Sequence, residues 1–205
     1  MKKTRTISKE TLLSRLKGTS IKYLGRYNSS AKNLQKYLTR KVKEYNKEEL
    51  QENPESMIMF NEAITETIEL LKKLGYLNDS LYGKTQLRSQ LNKGKSTRVI
   101  NLKLYEKGLE KQDIIDVLSV NEKEDMELYG ALKFIKKKSF GAYRKIKFDA
   151  NGDDIGEEFI EKKIEKEYAS MFRNGFSYDI IDRVIKMDLE ETDNFLYDLE
   201  KELDL

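Results

Sequence analysis

The amino-acid sequence predicts an all-α protein built from three tandem three-helix repeats in an elongated, curved array. Three observations carry this expectation. Apolar residues recur every three or four positions through most of the chain, proline occurs once (Pro54), and glycines end the apolar runs at recurring points. Charged residues make up 37% of the 205 and hydrophobic residues 38%. That is more charge and less apolar material than one thick core needs, so thin helical layers with much solvated surface are expected.

The first helix carries Leu12, Leu16, Tyr23, Leu24 and Tyr27 on one face, with Gly18-Thr19-Ser20 as a weak point in its middle. Asn28-Ser29-Ser30 offers side-chain oxygens to the free N–H groups of a second helix, which holds Leu34, Leu38 and Val42, one per turn. Lys43 to Ser56 is polar and contains Pro54, so it reads as a loop or insertion. From Met57, the positions Phe60, Ala63, Ile64, Ile68, Leu71 and Leu74 restore the helical period up to Gly75. Asn78-Asp79-Ser80 then starts a helix with Leu81, Leu87 and Leu91, stopped by Gly94. Ser96-Thr97 starts another with Ile100 and Leu104, stopped by Gly108, and a short helix follows with Ile114, Val117 and Leu118. Asn121 opens a long helix through Met126, Leu128, Leu132 and Ile135 towards Gly141. A polar loop around Asn151-Gly152-Asp153-Asp154 precedes a helix with Phe159, Ile164, Tyr168 and Met171, ending at Gly175. Ile180, Ile181, Val184 and Ile185 mark a last short helix, and Phe195, Leu196 and Leu199 let the acidic tail dock as one more.

An internal repeat lies under this order. With Ser30 laid on Ser96, Leu34 matches Ile100 and Leu38 matches Leu104; with Gly108 laid on Gly175, Leu109 matches Phe176, Ile114 matches Ile181 and Val117 matches Val184. One such unit is too small to bury its own apolar face, so neighbours must pack in series. The expected boundaries are a first repeat over 1–77 with an insertion near 43–56, a second over 78–120, a third over 121–187, and an acidic tail or helix over 188–205. Glu167 fits the third unit poorly, because an apolar residue is expected there.

Composition excludes several chemistries. With no cysteine and no histidine, disulfides, thiolate catalysis and the usual metal ligands and general bases near neutral pH are ruled out. The basic start is not followed by an apolar run, and no apolar stretch is long enough to span a bilayer, so a cytoplasmic protein with no membrane partner is expected. The net charge of +3 conceals a polarity: residues 1–50 carry +10, residues 51–150 carry +3 and residues 151–205 carry −10. Opposite excesses at the two ends point to a basic surface for nucleic acid or an acidic partner.

Three stretches, in order, resemble the RecX family of the alphaproteobacterial type. They are Tyr23 to Val42 (YLGRYNSSAKNLQKYLTRKV), Leu74 to Leu109 with its Leu-Gly-Tyr-Leu-Asn-Asp corner, Tyr82, Arg88, Gly94-Lys95 and Lys107-Gly108, and Glu167 to Val184 with Gly175-Phe176-Ser177-Tyr178-Asp179. The chain departs from the family pattern at Lys103, where an acidic residue is usual, and at Gly83, where alanine is common. The 43–56 insertion and the tail have no clear counterpart. The resemblance implies tandem three-helix repeats that bind along the groove of the RecA–DNA filament and inhibit its recombinase, ATPase and coprotease activities, modulating recombination and the SOS response. The implied partners are the RecA filament and the single-stranded DNA within it, with weak non-specific DNA binding by a monomer.

Candidate contact residues are Arg88, Lys93, Lys95, Arg98 and Lys103, around a glycine corner and a helix start where side-chain charge and free N–H groups can meet phosphates together. The resemblance singles out Arg88 and Lys95; the competing role for Arg88 is an ion pair bracing adjacent helices. Arg26, Lys36 and Arg40, with Lys22, Lys32 and Lys41, form a second candidate strip. The 12 Tyr and 8 Phe mostly occupy apolar helix positions and are expected in the core rather than under stacked bases. Lys93 to Thr97 lacks the upstream glycine of a phosphate-binding loop, with Ser89 in its place. Asp149, Asn151 and Asp153 have calcium-loop spacing, but Asp154 and Ile160 stand where glycine and glutamate are required. No catalytic residue, cofactor or metal is assigned. Two other functions stay open. A helix-turn-helix repressor is disfavoured by Glu110, Asp113, Asp179 and Asp182 at the starts of its would-be reading helices, and a helical protein-binding adaptor would show no salt-sensitive nucleic-acid binding.

Overall fold

The computed structural model describes residues 7–119, 123–145 and 157–203. Among these residues all regular structure is helical: α1 (Lys9–Leu24), α2 (Ala31–Tyr45), α3 (Lys47–Glu52), α4 (Ser56–Lys73), α5 (Asp79–Leu91), α6 (Thr97–Glu106), α7 (Lys111–Leu118), α8 (Lys123–Lys138), a 3-10 turn at Gly141–Tyr143, α9 (Glu157–Arg173), α10 (Tyr178–Lys186) and α11 (Leu189–Glu202). The expected helix start at Asn121, the repeat junction at Val120 and the polar loop with its calcium-like spacing at Asp149, Asn151, Asp153 and Asp154 lie outside the described residues. By packing, the chain forms two compact units, Met1–Gly83 with Tyr105–Asp113, and Lys84–Leu104 with Ile114–Leu205.

In the first unit α1, α2 and α4 pack together around Leu12, Leu16, Leu34, Leu38, Phe60, Ile64 and Leu71. The one-per-turn leucines of α2 are fully enclosed, as the period predicts. α1 runs through Gly18 without a break, because nothing crowds that glycine and Leu12 and Leu16 hold the helix down. The span 43–56 is in part a correction to the expected loop. α2 continues to Tyr45 and α3 follows at once, with Val42 buried and the Asn46 side chain donating to its carbonyl at 2.9 Å, while 53–55, with Pro54, forms the turn into α4. The polarity that suggested a loop belongs to the end of α2 and to α3, which buries no residue. Gly75, at φ +78°, closes α4, with Tyr76 N–H donating to the Leu71 carbonyl at 2.9 Å.

The second unit centres on α8, whose Met126, Leu128, Tyr129, Leu132, Phe134 and Ile135 are all buried. α10 and α11 pack on it, α10 through Ile180, Ile181, Val184 and Ile185 and α11 through Leu196 and Leu199. The acidic tail is thus a docked helix, started by Asp188, whose carboxylate accepts from Glu191 N–H at 2.8 Å. Glu167 is no misfit either. It is 4% exposed and forms a two-point ion pair with Arg144, Nε to Oε1 at 2.8 Å and Nη2 to Oε2 at 2.7 Å, while Gly141 N–H donates to Oε2 at 3.0 Å. The hydrogen bond to this carboxylate, together with its charge, raises the Arg144 pKa above its ordinary value. Leu81 and Phe159, expected on apolar faces, are exposed.

Candidate functional site

Two helix starts are built alike. Ser30 Oγ accepts from Asn33 N–H at 3.3 Å and donates to the Lys107 carbonyl at 2.7 Å. Ser96 Oγ accepts from Val99 N–H at 3.3 Å and donates to the Asn174 carbonyl at 2.7 Å. In each case the turn glycine that follows the acceptor, Gly108 at φ +81° or Gly175 at φ +84°, sits so close that a β-carbon there would lie 2.8 or 2.9 Å from the serine oxygen. A left-handed turn therefore covers each helix start. Asp79 accepts from Ala31 N–H at 2.8 Å, and Glu127 accepts from Thr97 Oγ1 and from Ser177 N–H, both at 3.0 Å.

Ser96 is fully buried under the Asn174-Gly175 turn and its hydroxyl takes the Val99 N–H, so that N–H at the start of α6 is not open to a phosphate. Arg88 and Lys93 are exposed and Lys95 is half-buried. Arg98 is exposed beside a groove of the second unit that Ile115, Phe172, Phe176 and Gly175 also line. Lys103, five residues along α6 and so about 140° around it, faces elsewhere. The five residues do not form one patch. The corner itself is rigid, because Gly94 at φ +69° lies against the Phe134 backbone and Gly130 lies against the Lys95 carbonyl, each closer than a β-carbon allows. Gly130→Ala is expected to cost about 1–3 kcal/mol and to displace Lys95; thermal unfolding checks the first part, and an unchanged Tm would contradict this packing.

In the first unit Lys32, Lys36, Arg40 and Lys43 lie opposite the buried stripe of α2, and Lys47 of α3 joins them along one shallow groove. Arg26 is exposed in the turn after α1 and does not line that groove. Lys43 and Lys47 were missed in the sequence because the span was read as a loop; their spacing from Lys32 and Lys36 is the signal that would have found them. Aromatic placement also differs from expectation. Phe60, Tyr82, Tyr129, Phe134 and Phe176 are buried, but Tyr27, Tyr45, Tyr76, Tyr105, Phe159, Phe172, Tyr178 and Tyr197 are exposed. Tyr27, Tyr45 and Tyr76 lie at or just beyond helix ends, where the apolar stripe runs out.

In the second unit, α11 lays acids on the lysines of α8. Glu200 accepts from Lys133 at 2.6 Å and from the Tyr129 hydroxyl at 3.0 Å; Asp193 accepts from Lys136 at 3.1 Å and from the Tyr143 hydroxyl. Lys133 holds the Glu200 carboxyl below its usual range, and the Tyr143 hydroxyl followed by Lys136 does the same for Asp193. Among the described residues no three His, Cys, Asp or Glu side chains gather as metal ligands, and no helix is long and apolar enough to cross a membrane.

No family model matches the chain. A regulatory protein RecX of Agrobacterium fabrum is 33% identical over 122 residues, 60% of this chain and 58% of that protein. A regulatory protein RecX of Myxococcus xanthus is 27% identical over 170 residues, 83% of each. The chain is thus similar in sequence to RecX proteins. Solved RecX structures have the same fold. The RecX of Lactobacillus salivarius superposes with a TM-score of 0.58 at 22% identity, covering 90% of this chain and 99% of that one. A second regulatory protein RecX gives 0.56 at 19%, covering 87% and 74%. The chain spans just over half of its Agrobacterium relative and most of the Myxococcus RecX.

Proposed function

We propose that the protein is a non-catalytic regulator of the RecA recombinase. It acts in the cytoplasm as a monomer that binds the RecA–DNA filament, contacts RecA and the enclosed single strand, holds bare DNA weakly, and inhibits recombination and SOS functions. Similarity to RecX proteins in sequence and in fold carries this reading. Its scaffold is three three-helix repeats, 1–77, 78–120 and 121–187, and the matching Ser30 and Ser96 locks support that division. Exposed Arg88, Lys93 and Arg98 with half-buried Lys95 and Lys103 are the candidate contacts in the second repeat, Lys103 on a different side of α6 from Arg98, and Arg26, Lys36 and Arg40 are a second group. Asp179 at the exposed start of α10 speaks against a duplex-reading helix.

The deciding experiment adds the protein to a preformed RecA–single-strand filament and follows ATP hydrolysis. Hydrolysis is expected to fall with added protein, and an unchanged rate would refute the reading. Arg88→Ala/Lys95→Ala is expected to weaken inhibition while circular dichroism stays at the parent's helicity, since neither side chain belongs to the buried core. Full inhibition by that variant would remove these two residues from the contact.

A further inference from the structure

We propose that the outward face of α2 is a track for one nucleic-acid strand, with phosphates along Lys32, Lys36, Arg40 and Lys43 and bases against Tyr27. Leu34, Leu38 and Val42 turn inward, so the cations occupy the opposite side of the same helix, and Lys47 extends the row onto α3. Gln35 and Thr39 stand between them as uncharged hydrogen-bonding groups. The one acid lining this groove, Glu44, is held by Lys41 at 2.7 Å and lies 3.9 Å from Arg40 Nε, so it is committed away from Lys36, Lys43 and Lys47, while Lys32 also lines a neighbouring groove with Glu69, Asp79, Glu110 and Asp113.

Lys32, Lys36 and Arg40 follow one another at about 6 Å along the helix axis. That is comparable with the distance between successive phosphates along a strand, so each cation can meet its own phosphate. Beside the row stands an aromatic step. Tyr37 stacks on Tyr23 at 4.3 Å, Tyr23 meets Tyr27 at 5.3 Å, and the Arg40 guanidinium lies 5.8 Å from the Tyr37 ring centre. Tyr27 is 59% exposed, a ring braced from behind with its surface in solvent. A base can stack there only if it is unpaired, so the exposed ring, rather than the charge spacing, selects a single strand over a duplex.

The inference deepens the nucleic-acid part of the function proposed above and is tested without RecA. Fluorescence anisotropy of a labelled oligothymidylate of about 16 nucleotides is measured with full-length protein at about 50 mM salt and upward. Competing probes are a mixed-sequence duplex of equal phosphate number and heparin, a polyanion without bases. Lys36→Ala/Lys43→Ala is expected to weaken oligothymidylate binding about tenfold and flatten its salt dependence, with slope reduced by roughly 1.4 for two lost phosphate contacts. Tyr27→Ala is expected to weaken oligothymidylate at least fivefold and leave heparin unchanged. Equal oligothymidylate affinity for parent and Lys36→Ala/Lys43→Ala overturns the track. Equal losses of heparin and oligothymidylate in Tyr27→Ala, or duplex held as tightly as the single strand, overturn the role of the bases. If Lys36→Ala/Lys43→Ala keeps its oligothymidylate affinity but loses inhibition of RecA, the face meets an acidic protein surface, and this inference fails while the function stands. If RecA is unaffected by the parent but oligothymidylate binding follows these residues, the function fails and the track stands.

Discussion

Glu167→Ala is expected to remove about 3–5 kcal/mol of unfolding free energy, the cost of leaving one member of a buried ion pair without its partner. The alanine would strand the Arg144 guanidinium in a partly buried site and orphan the Gly141 N–H as well. Arg144→Ala is expected to cost a similar amount, since it leaves the 4%-exposed carboxylate without its cation. Glu167→Leu/Arg144→Leu should recover part of either loss, because no charge is then desolvated. Urea unfolding of the three variants measures this. Losses below about 1 kcal/mol for both single alanines, a size typical of surface pairs, would show the pair to be ornamental.

Removing residues 188–205 is expected to destabilise the second unit rather than simply bare its lysines. Leu196, Leu199 and Leu203 are each about 5% exposed, and a fully buried leucine contributes about 1.5–3 kcal/mol. Leu199→Ala alone is expected to cost about 2–5 kcal/mol. The charge is separated from the packing by Asp193→Asn/Glu200→Gln, which keeps the leucines and frees Lys133 and Lys136 from their carboxylates. That variant is expected to bind random-sequence DNA more tightly than the parent at about 50 mM salt, with the gain shrinking as salt rises. Equal affinity would make the acids a purely structural feature. Both carboxyl pKa values are lowered by docking, so their contribution is complete above the ordinary carboxylate range and is lost as pH falls from that range through the lowered folded-state values. The melting temperature of the parent should therefore drop at acid pH more steeply than that of Asp193→Asn/Glu200→Gln.

The helices were legible because their apolar period is clean where one face is enclosed, as at Leu34, Leu38 and Val42, and because glycines at Gly75, Gly94 and Gly175 end them in left-handed turns. The span 43–56 was misread because polarity there belongs to a helix with little of its surface covered. Glu167 was misread because hydrophobic periodicity treats every polar residue on an inward face as a fault. Its partner, Arg144, lies 23 residues away in sequence, beyond the reach of any local pattern. The candidate cations were found as residue types, but their division among faces was not: Arg98 and Lys103 share a helix and look in different directions. The partners of the acidic tail lie equally beyond a local pattern: Glu200 and Asp193 pair with Lys133 and Lys136 of α8, 67 and 57 residues away.

The serine locks have a consequence for synthesis of the chain. Ser30 stands at the start of α2, yet its acceptor is the carbonyl of Lys107; Ser96 likewise waits for Asn174. During vectorial emergence from the ribosome, each of these helices can form early but reaches its final seating only after a turn nearly eighty residues later has left the exit tunnel. Completion thus proceeds as an overlapping relay, in which a later segment finishes an earlier one. A premature stop between Gly108 and Asn174 would release a polypeptide whose α2 is seated and whose α6 is not.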